Sequence, residues 1–187
     1  AADSGQPLRL MFPLTSGLEE LRQARRVLTS CREDLSFGSV QKPDIHLGVM
    51  IELPAAALIA DMLAPEVDFF ALGTNDLIQY LLGVDRSNKR VADYYRPEHP
   101  SVLRALARVV RIAVDNQKPI SVCGEMGHDE AMIPFLLGIG IRRLSIDPQF
   151  MPAVHRRITG LTIDACRAQA RDLTGAGSLR AVKAILE

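Results

Sequence analysis

The sequence predicts an α/β fold built on a parallel sheet, with about five β-α units. Three observations carry this. Short apolar or β-branched runs alternate with longer segments of helical periodicity, the pattern of strand, crossover and next strand. One run, residues 67–72 (VDFFAL), is almost continuously apolar, as in a strand covered on both faces. Acids, an asparagine and a cysteine follow the ends of successive runs, and that rim is where parallel α/β folds build their sites. A complete (β/α)8 barrel takes ~250 residues and eight strands. The 187 residues here therefore form either an open sheet or the last part of a barrel.

The elements follow in order. Leu8–Phe12 reads as a strand closed by Pro13. Ser16 with Glu19 three residues on has the spacing of a capping box, and Leu18, Leu21, Ala24 and Leu28 follow at helical spacing. Residues 36–44 are a polar loop with glycine and proline. Residues 46–51 form the second strand, ending at Glu52. Pro54 suits the first turn of a helix that continues over 55–63 and stops at Ala64-Pro65. The third strand, 67–72, turns through Gly73-Thr74-Asn75-Asp76 into a helical run over 77–82. Residues 85–100 are a long polar connection, and connections of that length are usually functional. Ser101 starts a helix reaching Asn116, with Val102, Leu106, Val109, Val110 and Ala113 on one face. Ile120–Cys123 is the fourth strand, 128–137 a short helix ended by Gly138-Ile139-Gly140, and 143–146 the fifth strand. Residues from Pro148 to about Ile158 are helical. Two more helices break at Gly175-Ala176-Gly177. We read residues 1–187 as a single domain, with a core over 8–158 and a helical tail over 159–187.

Composition excludes several classes. Hydrophobic residues make up 48% and charged residues 24%, enough apolar surface to bury a core. Twenty-two basic residues balance twenty-two acidic ones, so no global field draws in nucleic acid or an anionic membrane. Tryptophan is absent and aromatics are 5%, which argues against a base-stacking surface. No apolar run is long enough for membrane insertion, and the first residues lack the basic-then-apolar order of a secretory signal. Cys31, Cys123 and Cys166 are odd in number and form no CxxC pair, which points to a reducing, cytoplasmic setting.

Glu52 and Asp76 are the candidate metal ligands. Two hard carboxylates suit Mg2+, which keeps waters and takes other ligands from substrate. The competing reading has each acid capping a helix or pairing with an arginine. Asn75 sits where it could cap the next helix, bind a ligand, or both. Gly73 would let backbone approach a ligand closely. Arg86 could clamp a phosphate or carboxylate bidentately, and is otherwise a surface residue. Cys123 is by default a small core hydrophobe. The loop Gly124-Glu125-Met126-Gly127 follows it at once, so its thiol could exchange a proton with substrate. Cys31 and Cys166 lie in polar helical settings. His46, His99, His128 and His155 have no metal-ligand spacing, and His128 reads as a cap or surface group. Tyr94, Tyr95 and Arg96 pack the long loop or contact a partner.

The stretches LRLMFPL, GVMIELPAAALIADMLAPEVDFFALGTNDLIQYLLGVDRSN, YYRPEHPSVLRAL and CGEMGHDEAMIPFLLGIGIRRLSI together resemble the phosphoenolpyruvate-binding barrel of enzyme I of the sugar phosphotransferase system. They span residues 8–146. Pyruvate phosphate dikinase and phosphoenolpyruvate synthase share that barrel, and GTNDLIQYLLGVDRSN looks closer to enzyme I. The resemblance implies the C-terminal part of a phosphoenolpyruvate-binding (β/α)8 barrel. It implies that Glu52 and Asp76 hold Mg2+, that Asn75, Asp76 and Arg86 contact phosphoenolpyruvate, and that Cys123 is the proton donor that turns enolpyruvate into pyruvate. In that family the phosphoryl group passes to a histidine on a separate N-terminal domain and then to the carrier HPr. The barrel domain forms the homodimer.

Departures from the family pattern set further expectations. No segment matches the phosphohistidine domain or the first three barrel strands, which carry further substrate-binding arginines, and none of the four histidines matches the phosphorylated one. Leu53 stands where threonine is common, and Gly127-His128 where Ala-Gly is common. The chain is therefore expected to hold part of an active site and to be inactive alone in complete phosphotransfer. Two rival readings differ in class. A Mg2+-dependent lyase of the citrate lyase β type would need neither Cys123 nor Arg86, and a dimerisation module would keep the surface without the chemistry.

Overall fold

A computed structural model describes residues 7–34 and 44–187; the polar loop expected at 36–44 lies outside these but for Asp44. Five parallel strands form one sheet in the order β1-β2-β3-β4-β5. They are β1 (Leu8–Phe12), β2 (Ile45–Ile51), β3 (Phe69–Gly73), β4 (Ile120–Cys123) and β5 (Leu144–Ser145). Every strand pairs with the next in sequence, and the order never reverses. A doubly wound sheet would reverse at a switch point. An unbroken order with right-handed crossovers places the helices on one face, which is the progression of a barrel. Of the two architectures open to the sequence, this is the barrel segment.

β3 starts two residues later than expected. Asp68 is held outside it by two bonds to β2: its N–H donates to the Leu47 carbonyl at 2.7 Å and its carboxylate accepts from the Leu47 N–H at 2.7 Å. All five β3 residues are buried, as the apolar run requires. β1 is an outer strand, exposed at Leu8 and Arg9, and the Arg9 guanidinium lies 5.1 Å over the Phe69 ring.

Helix α1 (Leu18–Asp34) begins later than the expected cap. Ser16 lies two residues ahead of it, so its N–H and hydroxyl reach Glu20 at 2.8 and 3.1 Å instead of Glu19. The helix expected over 55–63 is kinked at Ile59 into α2 (Pro54–Leu58) and α3 (Ala60–Leu63), followed by a 3-10 turn over Ala64–Glu66. Hydrogen bonds from Ile59 to Ala55 and from Leu63 to Ile59 run across the kink. α4 (Thr74–Leu82) ends at Gly83 in the left-handed conformation. α5 (Pro100–Asp115) is capped by His99, whose Nδ1 accepts from the Ser101 N–H at 3.2 Å, so Ser101 is inside the helix and not its start. A 3-10 turn covers Glu125–Gly127, and α6 (Ile133–Ile139) starts five residues later than expected, because residues 128–132 form turns; it runs through Gly138 and ends at Gly140. His128 stacks on Phe150, ring centroids 3.9 Å apart; its N–H closes the 3-10 turn onto the Glu125 carbonyl, and the cap position of α6 falls to Met132 instead. α7 (Met151–Thr159), α8 (Ile163–Gly175) and α9 (Leu179–Leu186) complete the described chain.

One buried cluster joins the sheet and its helices. Val49, Ile51, Phe70, Leu72 and Val122 meet Leu77, Leu106, Val110, Phe135 and Leu136, and Ala170, Leu173 and Val182 of the last two helices belong to the same cluster. Cys31 is exposed, but Cys166 is buried and not in a polar setting. It lies where α8 packs hard against α6. A Cβ on Gly138 would collide with the Cys166 carbonyl and lie 2.7 Å from the Ala170 Cβ. Because backbone is the obstacle, Gly138→Ala is expected to destabilise the chain by about 1–3 kcal/mol, read as a lowered urea midpoint.

Candidate functional site

The strand register builds the site. Ile51 is level with Leu72, Leu72 with Val122, and Gly73 with Cys123. Three consecutive strands thus end at one height, and Glu52, the Thr74-Asn75-Asp76 turn and Cys123 share one rim.

Glu52 is 4% exposed. Its Oε1 accepts from the Leu14 N–H at 2.7 Å. Leu14 is in the left-handed region, φ 51°, a strained conformation for leucine that aims this N–H at the carboxylate. Burial pushes the Glu52 carboxyl above its ordinary range, and the charge and hydrogen bond of nearby Asp76 push it the same way against the Leu14 bond. Two carboxyls meet here. Among the described residues no third His, Cys, Asp or Glu joins them. A pair of like charges, one desolvated, fits a divalent ion that takes its other ligands from water and substrate. Gly73 serves this packing: a Cβ there would lie 2.7 Å from the Glu52 Cβ.

Asn75 does not cap α4. Gly73 occupies the cap position without a side-chain bond, and the Asn75 Oδ1 accepts from the Glu125 N–H at 2.9 Å. That bond fixes the amide and leaves its NH2 as the donor. Gly124 makes the approach possible. Its φ is 110°, and a Cβ would strike the Thr74 hydroxyl and lie 2.8 Å from the Asn75 Oδ1. Fully buried Thr74 ties the same two strand ends together, donating to the Cys123 carbonyl at 3.1 Å.

The Cys123 thiol donates to the Leu72 carbonyl at 3.2 Å. Burial raises its pKa, and the Glu52 charge raises it further, so the sulfur keeps its proton at neutral pH. Arg86 reaches the rim from beyond α4, its Nη1 3.5 Å from the Glu125 Oε1. Both side chains are exposed, so this is a weak, exchangeable pair. Asp147, another strand-end acid, caps a 3-10 turn by accepting from the Gln149 N–H at 3.0 Å.

The structure therefore brings Glu52, Asn75, Asp76 and Cys123 together, with Arg86 alongside through Glu125. Sequence reasoning missed the part of Tyr95. Its hydroxyl donates to the Asn75 carbonyl at 3.4 Å, and burial with the Glu125 charge pushes its pKa up to about 12. Tyr94, its neighbour, is exposed. Leu14 was also missed, since nothing in a leucine announces a left-handed turn. The Gly124-Glu125 pair directly after Cys123 was the available signal for the loop contact with Asn75.

Comparisons with known proteins place the chain in a family. The family model of the PEP-binding domain of PEP-utilising enzymes matches residues 1–163. The chain is 42% identical over 156 residues to the phosphoenolpyruvate-protein phosphotransferase of Staphylococcus aureus, covering 83% of this chain and 27% of that protein. It is 45% identical over 140 residues to that of Priestia megaterium, covering 74% and 24% respectively. The chain thus spans well under a third of the relatives it matches. Among solved structures, a citrate lyase from Burkholderia xenovorans is similar with a TM-score of 0.59 at 18% identity, covering 96% of this chain and 62% of that one. RipC from Yersinia pestis gives 0.52 at 17%, covering 87% and 69%. At those identities the likeness is one of fold.

Glu52 gives a signed pH test. A carboxyl whose folded pKa is raised costs stability wherever the unfolded chain would ionise it, so its penalty grows as pH rises from the ordinary value toward the raised one and is complete above that. Glu52→Gln, which keeps the acceptor for Leu14, is expected to raise the thermal midpoint of the metal-free chain at pH 8. The gain is expected to vanish below the ordinary glutamate value of 4.5, as followed by circular dichroism across that range.

Proposed function

The chain belongs to the PEP-utilising enzymes through their PEP-binding domain, and from that premise we propose that it forms the metal- and substrate-holding part of an enzyme I-type phosphoenolpyruvate–protein phosphotransferase. The observation that carries this reading is the convergence of Glu52, Asn75, Asp76 and Cys123 on one rim, with the Glu52 and Asp76 carboxyls in contact.

Each side chain has a task in it. Glu52 and Asp76 would hold Mg2+, which when bound neutralises the phosphate and enolate charge. The Asn75 amide, turned by Glu125, donates its NH2 to the substrate. Arg86 exchanges its Glu125 partner for a phosphate oxygen, a stronger charge-assisted bond in bidentate geometry. Phosphoryl transfer breaks the bond between phosphorus and the enol oxygen and leaves an enolate. Protonation at its methylene carbon by the Cys123 S–H gives pyruvate and a thiolate, which solvent reprotonates. A thiol held protonated suits this step better than a free thiolate. In the longer protein the phosphoryl group would go to a histidine on a separate domain and then to HPr. A cytoplasmic homodimer belongs to the same reading.

Calorimetric titration with oxalate, an enolate mimic, tests the binding half. Binding is expected to require Mg2+ and to weaken ~tenfold or more in Asp76→Asn, given the size of charge-assisted contacts; binding indifferent to both would sink the reading. For the proton donor, Cys123→Ala is expected to leave oxalate affinity in place. In the full-length enzyme it should slow solvent deuterium exchange into the pyruvate methyl group by ~10²-fold or more, the usual range for a lost general acid.

A further inference from the structure

A groove of about 490 Å³ runs along the helix layer between α5, α6 and α8, and five arginines line it: Arg104, Arg108 and Arg111 on α5, Arg167 and Arg171 on α8. No acidic residue lines it among the described residues. The chain as a whole carries no net charge, so this is a local concentration of positive charge. The spacing aligns the arginines, three and four residues apart, on one face of each helix. Like charges so placed destabilise their helices, a cost that an anion between them relieves.

Two of the five are already fixed in place. Arg104 donates to the Thr174 carbonyl at 2.9 Å and to the Ala176 carbonyl at 3.3 Å, closing the C-terminal end of α8. Arg108 donates to the carbonyls of Ala57 and Leu58 at 3.3 and 3.1 Å and lies 3.6 Å from Asp61. Arg167 makes an exposed pair with Asp164 at 3.3 Å. Arg111 and Arg171, from opposite walls, have no acceptor among the described residues. Between them the floor is apolar: Ala107, Ile139, Ala170 and Val114, the last 57% exposed. An apolar floor with a few convergent charged groups is the make-up of a small-molecule site, and the volume falls in the ~300–1,000 Å³ range of such sites. Two unpaired guanidinium forks call for at least two anionic groups, and planar forks match phosphate oxygens bidentately. None of these residues belongs to the rim around Glu52.

We propose that the groove between α5, α6 and α8 is a second binding site, for a small phosphate ester carrying more than one negative charge and an apolar body, of which a nucleoside triphosphate is the representative.

The probe is ATP, titrated calorimetrically in EDTA so that no metal draws it to the rim. Saturable one-to-one binding is expected in the native chain. Arg111→Ala/Arg171→Ala is expected to weaken it ~tenfold or more, the scale of lost charge-assisted bonds. These side chains are exposed and hold nothing in the fold, and an unchanged thermal midpoint checks that. Asp76→Asn should bind ATP like the native chain, and oxalate should not displace it. Inorganic triphosphate should bind more weakly than ATP, because it cannot use the floor. Absence of saturable binding at millimolar ATP, or affinity unchanged in the double variant, would overturn the proposal. So would displacement by oxalate, or triphosphate binding as tightly as ATP. A glutamate-rich peptide binding more tightly than ATP would overturn it in favour of an acidic protein segment.

Discussion

The level ending of β2, β3 and β4 is the constraint on which the rest depends. Parallel pairing sets Ile51, Leu72 and Val122 side by side, so the next residue or two on each strand emerge at the same height. A one-residue slip would turn alternate side chains to the opposite face. The slip is prevented where the strands begin as well as where they end. Asp68 clasps Leu47 through two 2.7 Å bonds, and Thr74 ties β3 to the Cys123 carbonyl.

What this geometry assembles is not restful. Glu52 is buried beside another carboxyl, and its remaining support comes from a leucine in a conformation leucines avoid. Buried charge and local strain are tolerated when the surrounding core over-determines them. Here Val49, Ile51, Leu72 and Val122, all fully buried, supply that rigidity directly below the rim. The destabilised groups are the ones to which the proposed chemistry is assigned, while the apolar residues beneath them carry the fold.

The sequence made the strands legible because their signals are local. The apolar run VDFFAL, the Pro13 stop and the strand-end acids need no partner to be recognised. Helix starts were less legible, since a capping box depends on where the first turn actually forms. Ser16 lies one residue too early for Glu19, and His99, a poor cap by composition, does the work expected of Ser101. The identity of the rim residues could be read from motif and strand position. Their contacts could not: the Asn75–Glu125 bond spans 50 positions and depends on a glycine whose neighbours are remote in sequence. Cys166 was misjudged for the same reason, because what buries it is α6 and not its own helix.

The bond between Asn75 and the Glu125 backbone means that the loops after β3 and β4 are not independent modules. Gly124 admits no side chain without displacing Thr74 or Asn75, and Tyr95 bolts the long connection onto the backbone carbonyl of the same asparagine. A barrel is usually prized as a scaffold whose loops can be exchanged one at a time. Here the two loops form one inheritable unit. Grafting either alone from a relative would import half of a mutual fit, so any retuning of this rim toward another anion has to replace both together.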